Sequence, residues 1–128
     1  MHEFDLINNY FFKIAKKNKY ALNLNDDVFF DKKKGVVISV DTYNIKKHFL
    51  DFNKPELVIK KIFRSAISDL ICKGVYPKFY FISGSGNKNT FSKKNLSKIS
   101  KTLKIEQYKY NVNLCGGDTT FSNSLSFT

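Results

Sequence analysis

Four aspartates and one pair of glycines carry most of the chemistry that this sequence can offer. In Asn113-Leu114-Cys115-Gly116-Gly117-Asp118-Thr119-Thr120, a short apolar run from Val112 to Cys115 meets two glycines, an aspartate and two threonines. Two readings are open. In one, a strand ends in a Gly-Gly hairpin turn whose aspartate bonds its own backbone. In the other, the absent Cβ atoms let main-chain N–H groups approach a bulky ligand. Asp118 then sets a hard carboxylate oxygen beside them, the donor that Mg²⁺ prefers.

The acids are few in all, 11 against 22 basic residues. Asp26, Asp27 and Asp41 fall at expected strand ends or turns. Asp69 falls on an expected helix beside its apolar stripe, where an unpaired buried carboxylate would be costly. Salt bridges and turn capping would account for each alone. If Asp27, Asp41, Asp69 and Asp118 converge, they repel one another unless cations join them. Carboxylates gathered around Mg²⁺ are what holding a nucleoside triphosphate requires. His48 has no neighbouring Cys or His for a zinc site and no visible partner to orient it as a base. Gly84-Ser85-Gly86 is too short for a phosphate loop and lacks its lysine. No kinase-type catalytic loop and no nucleophile elbow occurs.

Composition narrows the class. A chain of 128 residues with 42% hydrophobic and 26% charged residues reads as one soluble globular domain. The net charge of +11 invites a nucleic-acid reading. Against it, Arg64 is the only arginine, and base and phosphate recognition draws on arginine's bidentate fork. The lysines are scattered, so a solvated lysine surface is the better account and no nucleic-acid partner is expected. No apolar run approaches the ~20 residues of a membrane span. The start, Met1-His2-Glu3-Phe4-Asp5, is acidic and unlike a signal peptide, so a cytoplasmic protein is expected. Cys72 and Cys115 are expected to be reduced and buried.

The elements that must position these residues follow from periodicity. Glu3 to Lys17 reads as a helix with Phe4, Ile7, Phe11, Ile14 and Ala15 on one face. Tyr20 to Leu24 and Val28 to Phe30 are short strand candidates. Val36 to Val40 is the strongest strand, expected to be central and buried on both faces. It leads to Asp41-Thr42, and Tyr43 to Phe52 reads as a loop. A long helix follows, with Asn53 as its cap, Pro55 in its first turn and Gly74 at its end. Phe79 to Ile82 is a strand, and Ser83 to Asn87 reads as a flexible loop. A second helix covers Lys93 to Lys104 behind Ser92. Val112 to Cys115 and Leu125 to Thr128 are the last strands. The order implies an α+β or α/β domain, a mixed β-sheet with helices packed on one face.

Glu3-Phe4-Asp5-Leu6-Ile7, Asp26-Asp27, Asp41-Thr42, His48-Phe49, Ser68-Asp69-Leu70 and Gly116-Gly117-Asp118-Thr119-Thr120 come in the order and spacing of the thiamine-monophosphate kinases. The chain resembles that family, of the aminoimidazole ribonucleotide synthetase-like superfamily, over essentially all its length. The resemblance implies ATP-dependent phosphorylation of thiamine phosphate to thiamine diphosphate, with several Mg²⁺ ions bridging ATP and aspartates. It implies Asp27, Ser39, Asp41, Thr42, Asp69 and Asp118 as metal-binding positions, and Gly117 with Asp118 as contacts to ATP. His48 would face thiamine phosphate. No residue is implied as an acid, base or nucleophile, because phosphoryl transfer depends on positioning and charge neutralisation. Residues 1–128 would be a single N-terminal domain lacking the family's C-terminal domain, and it would pair through its sheet into a homodimer. Asn25 stands where the family has glycine. Competing readings are another superfamily activity (a synthetase, a selenophosphate synthetase or a hydrogenase-maturation protein) and a basic non-enzymatic binding module.

Overall fold

A computed structural model describes residues 2–128. The chain divides into two compact units, one ending at Val40 and one spanning Asp41–Thr128. The first unit opens with α1 (Glu3–Leu6), a π-helical turn (Ile7–Phe11) and α2 (Phe12–Ala15). The helix expected over Glu3–Lys17 is therefore present, interrupted by one wide turn. Its apolar face is exposed, with Phe4 at 73% and Ile14 at 79%. Lys19–Leu24 forms a 3₁₀ turn, not the expected strand, because Leu22, Asn23 and Leu24 all adopt positive φ. Strands β1 (Val28–Asp31) and β2 (Val36–Ser39) form an antiparallel hairpin that pairs Val28 with Ser39. Buried Asp31 accepts the Lys34 N–H through Oδ1 at 3.1 Å and so closes the lysine turn.

The strand expected to be central is thus one arm of a two-stranded sheet. Val36, Ile38 and Val40 are exposed on it. A β-branched apolar run specifies extended backbone but not the number of its neighbours.

The second unit holds a four-stranded mixed sheet in the order β3-β6-β4-β5. Its strands are β3 (Tyr43–Asn44), β4 (Phe79–Gly86), β5 (Asn113–Phe121) and β6 (Ser126–Phe127). β4 and β5 run parallel and are joined through α4 (Lys93–Tyr110), since parallel neighbours need a crossover. β6 is antiparallel to both β3 and β4. The expected fold class, α+β with a mixed sheet and helices on one face, is what the structure shows. Residues Tyr80 and Ile82 of β4 pack on the helices, while Phe79 and Phe81 between them are exposed.

The long helix α3 (Pro55–Cys72) begins behind Lys54, which makes no side-chain cap, so Asn53 is not the cap. Pro55 takes the first helical position, where its missing N–H costs nothing. Val58, Ile59 and Ile62 of α3 meet Phe49, Ile99, Leu125 and Phe127 in the main core, and Ile59 is fully buried. A second cluster joins Phe63, Ile67 and Val112. Gly74 ends the helix region at φ +75°. Helix α4 starts at Ser92, whose hydroxyl accepts the Asn95 N–H at 3.4 Å, as expected, and runs to Tyr110. Arg64 of α3 grips buried Glu106 of α4 with two hydrogen bonds of 2.7 and 3.0 Å. That pairing raises the arginine's pKa further. Arg64 also lies 5.9 Å from the Tyr110 ring.

Three further expectations are corrected. Ser83 to Gly86 is the second half of β4, not a flexible loop, because small residues there admit the Phe91 and Phe127 rings. A Cβ on Gly84 would sit 3.2 Å from Phe91 and 3.3 Å from Phe127. Tyr43–Asn44 is strand, not loop. Cys72 and Cys115 are free but exposed, not buried. Among the described residues, no helix is long and apolar enough to cross a membrane.

Candidate functional site

Strand β5 carries the glycine pair, and it does not turn there. Gly116, Gly117 and Asp118 lie inside nine residues of continuous strand, all exposed. The hairpin-turn reading is therefore overturned. The pairing to β4 slips by one residue between Tyr80 and Phe81, so Cys115 is skipped and Gly117 pairs with Ile82. A Cβ on Gly117 would sit 1.8 Å from the Ile82 carbonyl oxygen, so only glycine lets the two backbones meet. Gln107 of α4 sets the start of this pair. Its Oε1 accepts from the Leu114 N–H at 3.1 Å and from the Tyr80 hydroxyl at 3.4 Å. Asp118 pairs with Ser83 and accepts from the Thr120 hydroxyl at 3.4 Å. Asp118 and Thr119 also border a recess of about 110 Å³ whose apolar wall includes Phe91, Leu96 and Ile99.

At the opposite edge of the sheet, Tyr43 collects the next part of the site. Its hydroxyl donates to Asp41 Oδ2 at 3.2 Å. Burial pushes the Tyr43 pKa up from 10.0, a hydrogen bond with Ser65 of α3 lowers it, and the charges of Asp41 and Asp69 raise it again. Asp41, just ahead of β3, thus bonds the hydroxyl directly, while Asp69 of α3 acts on it only through its charge. Thr42 points elsewhere, its Oγ1 2.9 Å from Thr128 Oγ1. His48 stands edge-on to Tyr43, with ring centres 5.6 Å apart, and its Nδ1 accepts the Asn44 N–H at 2.9 Å. The partner that the sequence did not reveal for this histidine is thus backbone.

Asp27 and Ser39 belong to the first unit. Asp27 is exposed and its N–H donates to Asp26 Oδ1 at 2.8 Å. The Ser39 hydroxyl oxygen is buried with no hydrogen-bond partner.

The structure brings Asp41 and His48 together around Tyr43. It sets Asp118 on β5, three strands along the sheet from β3. Among the described residues, no three acidic, His or Cys side chains gather tightly enough to hold a metal ion. That arrangement fits Mg²⁺, which is held by one or two carboxylates together with substrate phosphates and seldom by an all-protein cage. The donors of the second unit, Asp41 and Asp118, are hard oxygens. Sequence reasoning missed Tyr43. Its only signal was its place two residues after Asp41, at the start of β3.

Known proteins resemble this chain in sequence and in fold. The family described as AIR synthase related protein, N-terminal domain, matches residues 21–128. The chain is 34% identical over 132 aligned positions to a thiamine-monophosphate kinase of Haemophilus influenzae, covering 100% of this chain and 39% of that protein. It is 35% identical to the enzyme of the same name from Buchnera aphidicola, covering 98% and 39%. The chain thus spans about two fifths of the length of the curated relatives it matches. Among solved structures, the fold matches thiamine monophosphate kinase from Aquifex aeolicus with a TM-score of 0.77 at 21% identity, covering 99% of this chain and 41% of that one. A complex of AaThiL with AMPPCP and TMP matches with a TM-score of 0.80 at 24% identity, covering 98% and 39%. This chain belongs to the family of AIR synthase related proteins, as an N-terminal domain.

Proposed function

We propose that these 128 residues form the ATP- and Mg²⁺-binding N-terminal domain of a thiamine-phosphate kinase, which transfers the γ-phosphoryl group of ATP to thiamine phosphate. The observation that carries the reading is the Tyr43 hydroxyl bonded to Asp41 Oδ2, with His48 edge-on to the same ring. It occurs in a chain whose whole length aligns with 39% of a protein of that name. The solved relative in complex with AMPPCP and TMP supports the same pair of substrates.

In this reading Asp27, Ser39, Asp41, Thr42, Asp69 and Asp118 are the residues that would hold Mg²⁺. Bound Mg²⁺ would neutralise phosphate charge and orient the triphosphate. The chain's own contribution is positioning. Gly117 keeps β5 close enough to β4 for the backbone beside Asp118 to meet a nucleotide. Tyr43 holds the Asp41 carboxylate through Oδ2, leaving Oδ1 for a cation. His48 contributes a ring N–H to the acceptor phosphate. No side chain needs to move a proton in the rate-determining event, since the acceptor is itself an anionic phosphate.

The outward sheet face, with Phe79 and Phe81 each about two-thirds exposed, suits a second copy of the chain. A homodimer through this sheet is part of the proposal, as is a cytoplasmic setting where ATP is supplied. The test is a chimera in which these residues replace the aligned N-terminal part of the Haemophilus influenzae relative. Mg²⁺-dependent conversion of thiamine phosphate to thiamine diphosphate is the expected result. A folded chimera that binds neither ATP nor thiamine phosphate contradicts the reading.

A further inference from the structure

The turn between β3 and α3 is tied to the helix through a single residue's main chain. Lys46 takes φ +67°, and its N–H donates to the Phe49 carbonyl at 2.7 Å. The His48 N–H donates to the Asn44 carbonyl at 2.9 Å. Nearly two turns into α3, Lys61 donates through Nζ to the His48 carbonyl. The imidazole is fixed from its other side, because Nδ1 accepts the Asn44 N–H at 2.9 Å and Tyr43 stands edge-on against the ring.

A backbone N–H can only donate, so Nδ1 must carry a lone pair. In the neutral ring the proton then sits on Nε2. The unused ring atom is therefore a donor, and phosphate oxygens are acceptors. Lys61 is an exposed residue, yet its ammonium caps the carbonyl of the one residue whose ring is set in this way. A charge-assisted hydrogen bond is the stronger kind, and it replaces a flexible turn by a fixed one.

We propose that Lys61 is a positioning residue for a phosphomonoester acceptor: by holding the His48 main chain, it keeps the imidazole in the Nε2–H form with that N–H directed at the acceptor's phosphate. The inference rests on the kinase reading for the identity of the acceptor, but not for the state of the ring. Lys61 acts through His48 and is not itself assigned a contact with substrate.

Two readouts separate these parts. In the ¹⁵N-labelled 128-residue chain, long-range ring spectra should show His48 with an acceptor-type Nδ1 and a protonated Nε2. His2 is the other histidine in the spectrum. Lys61→Met should convert His48 to a mixture of tautomers, and Lys61→Arg should keep the single form. In the chimera described above, Lys61→Met should raise the KM for thiamine phosphate about tenfold and leave kcat and the KM for ATP within about twofold. Lys61→Arg should recover most of the loss.

A wild-type chain whose His48 is protonated at Nδ1 overturns the proposal without any variant having to fold. So does a folded Lys61→Met protein with the wild-type ring spectrum and the wild-type KM. If the wild-type chimera makes no thiamine diphosphate, the kinase reading fails, while the ring spectra still decide the role of Lys61.

Discussion

The two edges of the four-stranded sheet are built on different terms. On the β3–β6 side, strand residues are clamped under α3. Phe127 is 3% exposed, Tyr43 packs against the main core, and the elements around them hold by apolar burial. On the other side, all nine residues of β5 are exposed, and the strand is held by its parallel ladder to β4 and by Gln107. Asp41 and His48 stand on the packed side, and Gly117 and Asp118 on the open one. Packing fixes where the first group sits. For the second, glycine chemistry fixes how near the backbone of β4 can come. The difference teaches that a site can draw one wall from a core and another from an edge, each with its own kind of sequence constraint.

The sharpest way to break the packed side is at its centre. Ile59→Ala removes a fully buried side chain of the main core and should cost about 2–5 kcal/mol of unfolding free energy, measured by denaturant titration. A loss well below that range would mean that the clamp on β3 does not depend on this core. On the open side, Gly117→Ala places a methyl against the Ile82 carbonyl. It should cost about 1–3 kcal/mol, with amide exchange rising in β4 and β5 before it rises in α3. Uniform exchange across the unit would erase the distinction between the two edges.

A smaller effect tests the link between them. Burial raises the Tyr80 pKa above its ordinary value of 10.0. The folded state therefore holds this proton more tightly than the unfolded chain. The resulting stability is complete below pH 10 and is lost as pH rises through the raised value. Tyr80→Phe should flatten the alkaline part of the stability curve and cost about 1 kcal/mol or less near neutrality, since its bond to Gln107 is long, at 3.4 Å. An unchanged alkaline slope in thermal melts would sink that assignment.

How far the sequence reached depended on what each residue's neighbours had to be. Helices α3 and α4 were legible because Val58, Ile59, Ile62 and Ile67, and then Ile99 and Leu103, repeat at helical spacing. The mixed sheet followed from the order of elements. Val36–Val40 misled because an apolar β-branched run is the same whether one or two strands flank it. Ser83–Gly86 misled because glycine and serine signal loops, whereas here they clear space for Phe91 and Phe127. The aspartates were legible as a set through their resemblance to a known family. Their grouping was not. Only the fold shows that Asp41 and His48 meet at Tyr43 while Asp118 stands apart on β5. The tautomer of His48 was equally hidden, since it depends on a main-chain N–H four residues away.

The central claim is that this chain supplies a carboxylate-lined wall for Mg-ATP, with Asp118 on its open edge. Calorimetric titration of Mg-ATP into the chimera, with and without Asp118→Asn, tests it most directly. Because Asp118 is exposed and its recorded partner is the Thr120 hydroxyl, the substitution should leave the melting temperature unchanged. The account predicts that Mg-ATP affinity then falls by at least about tenfold, or 1.4 kcal/mol. Equal affinity in the two proteins would contradict it.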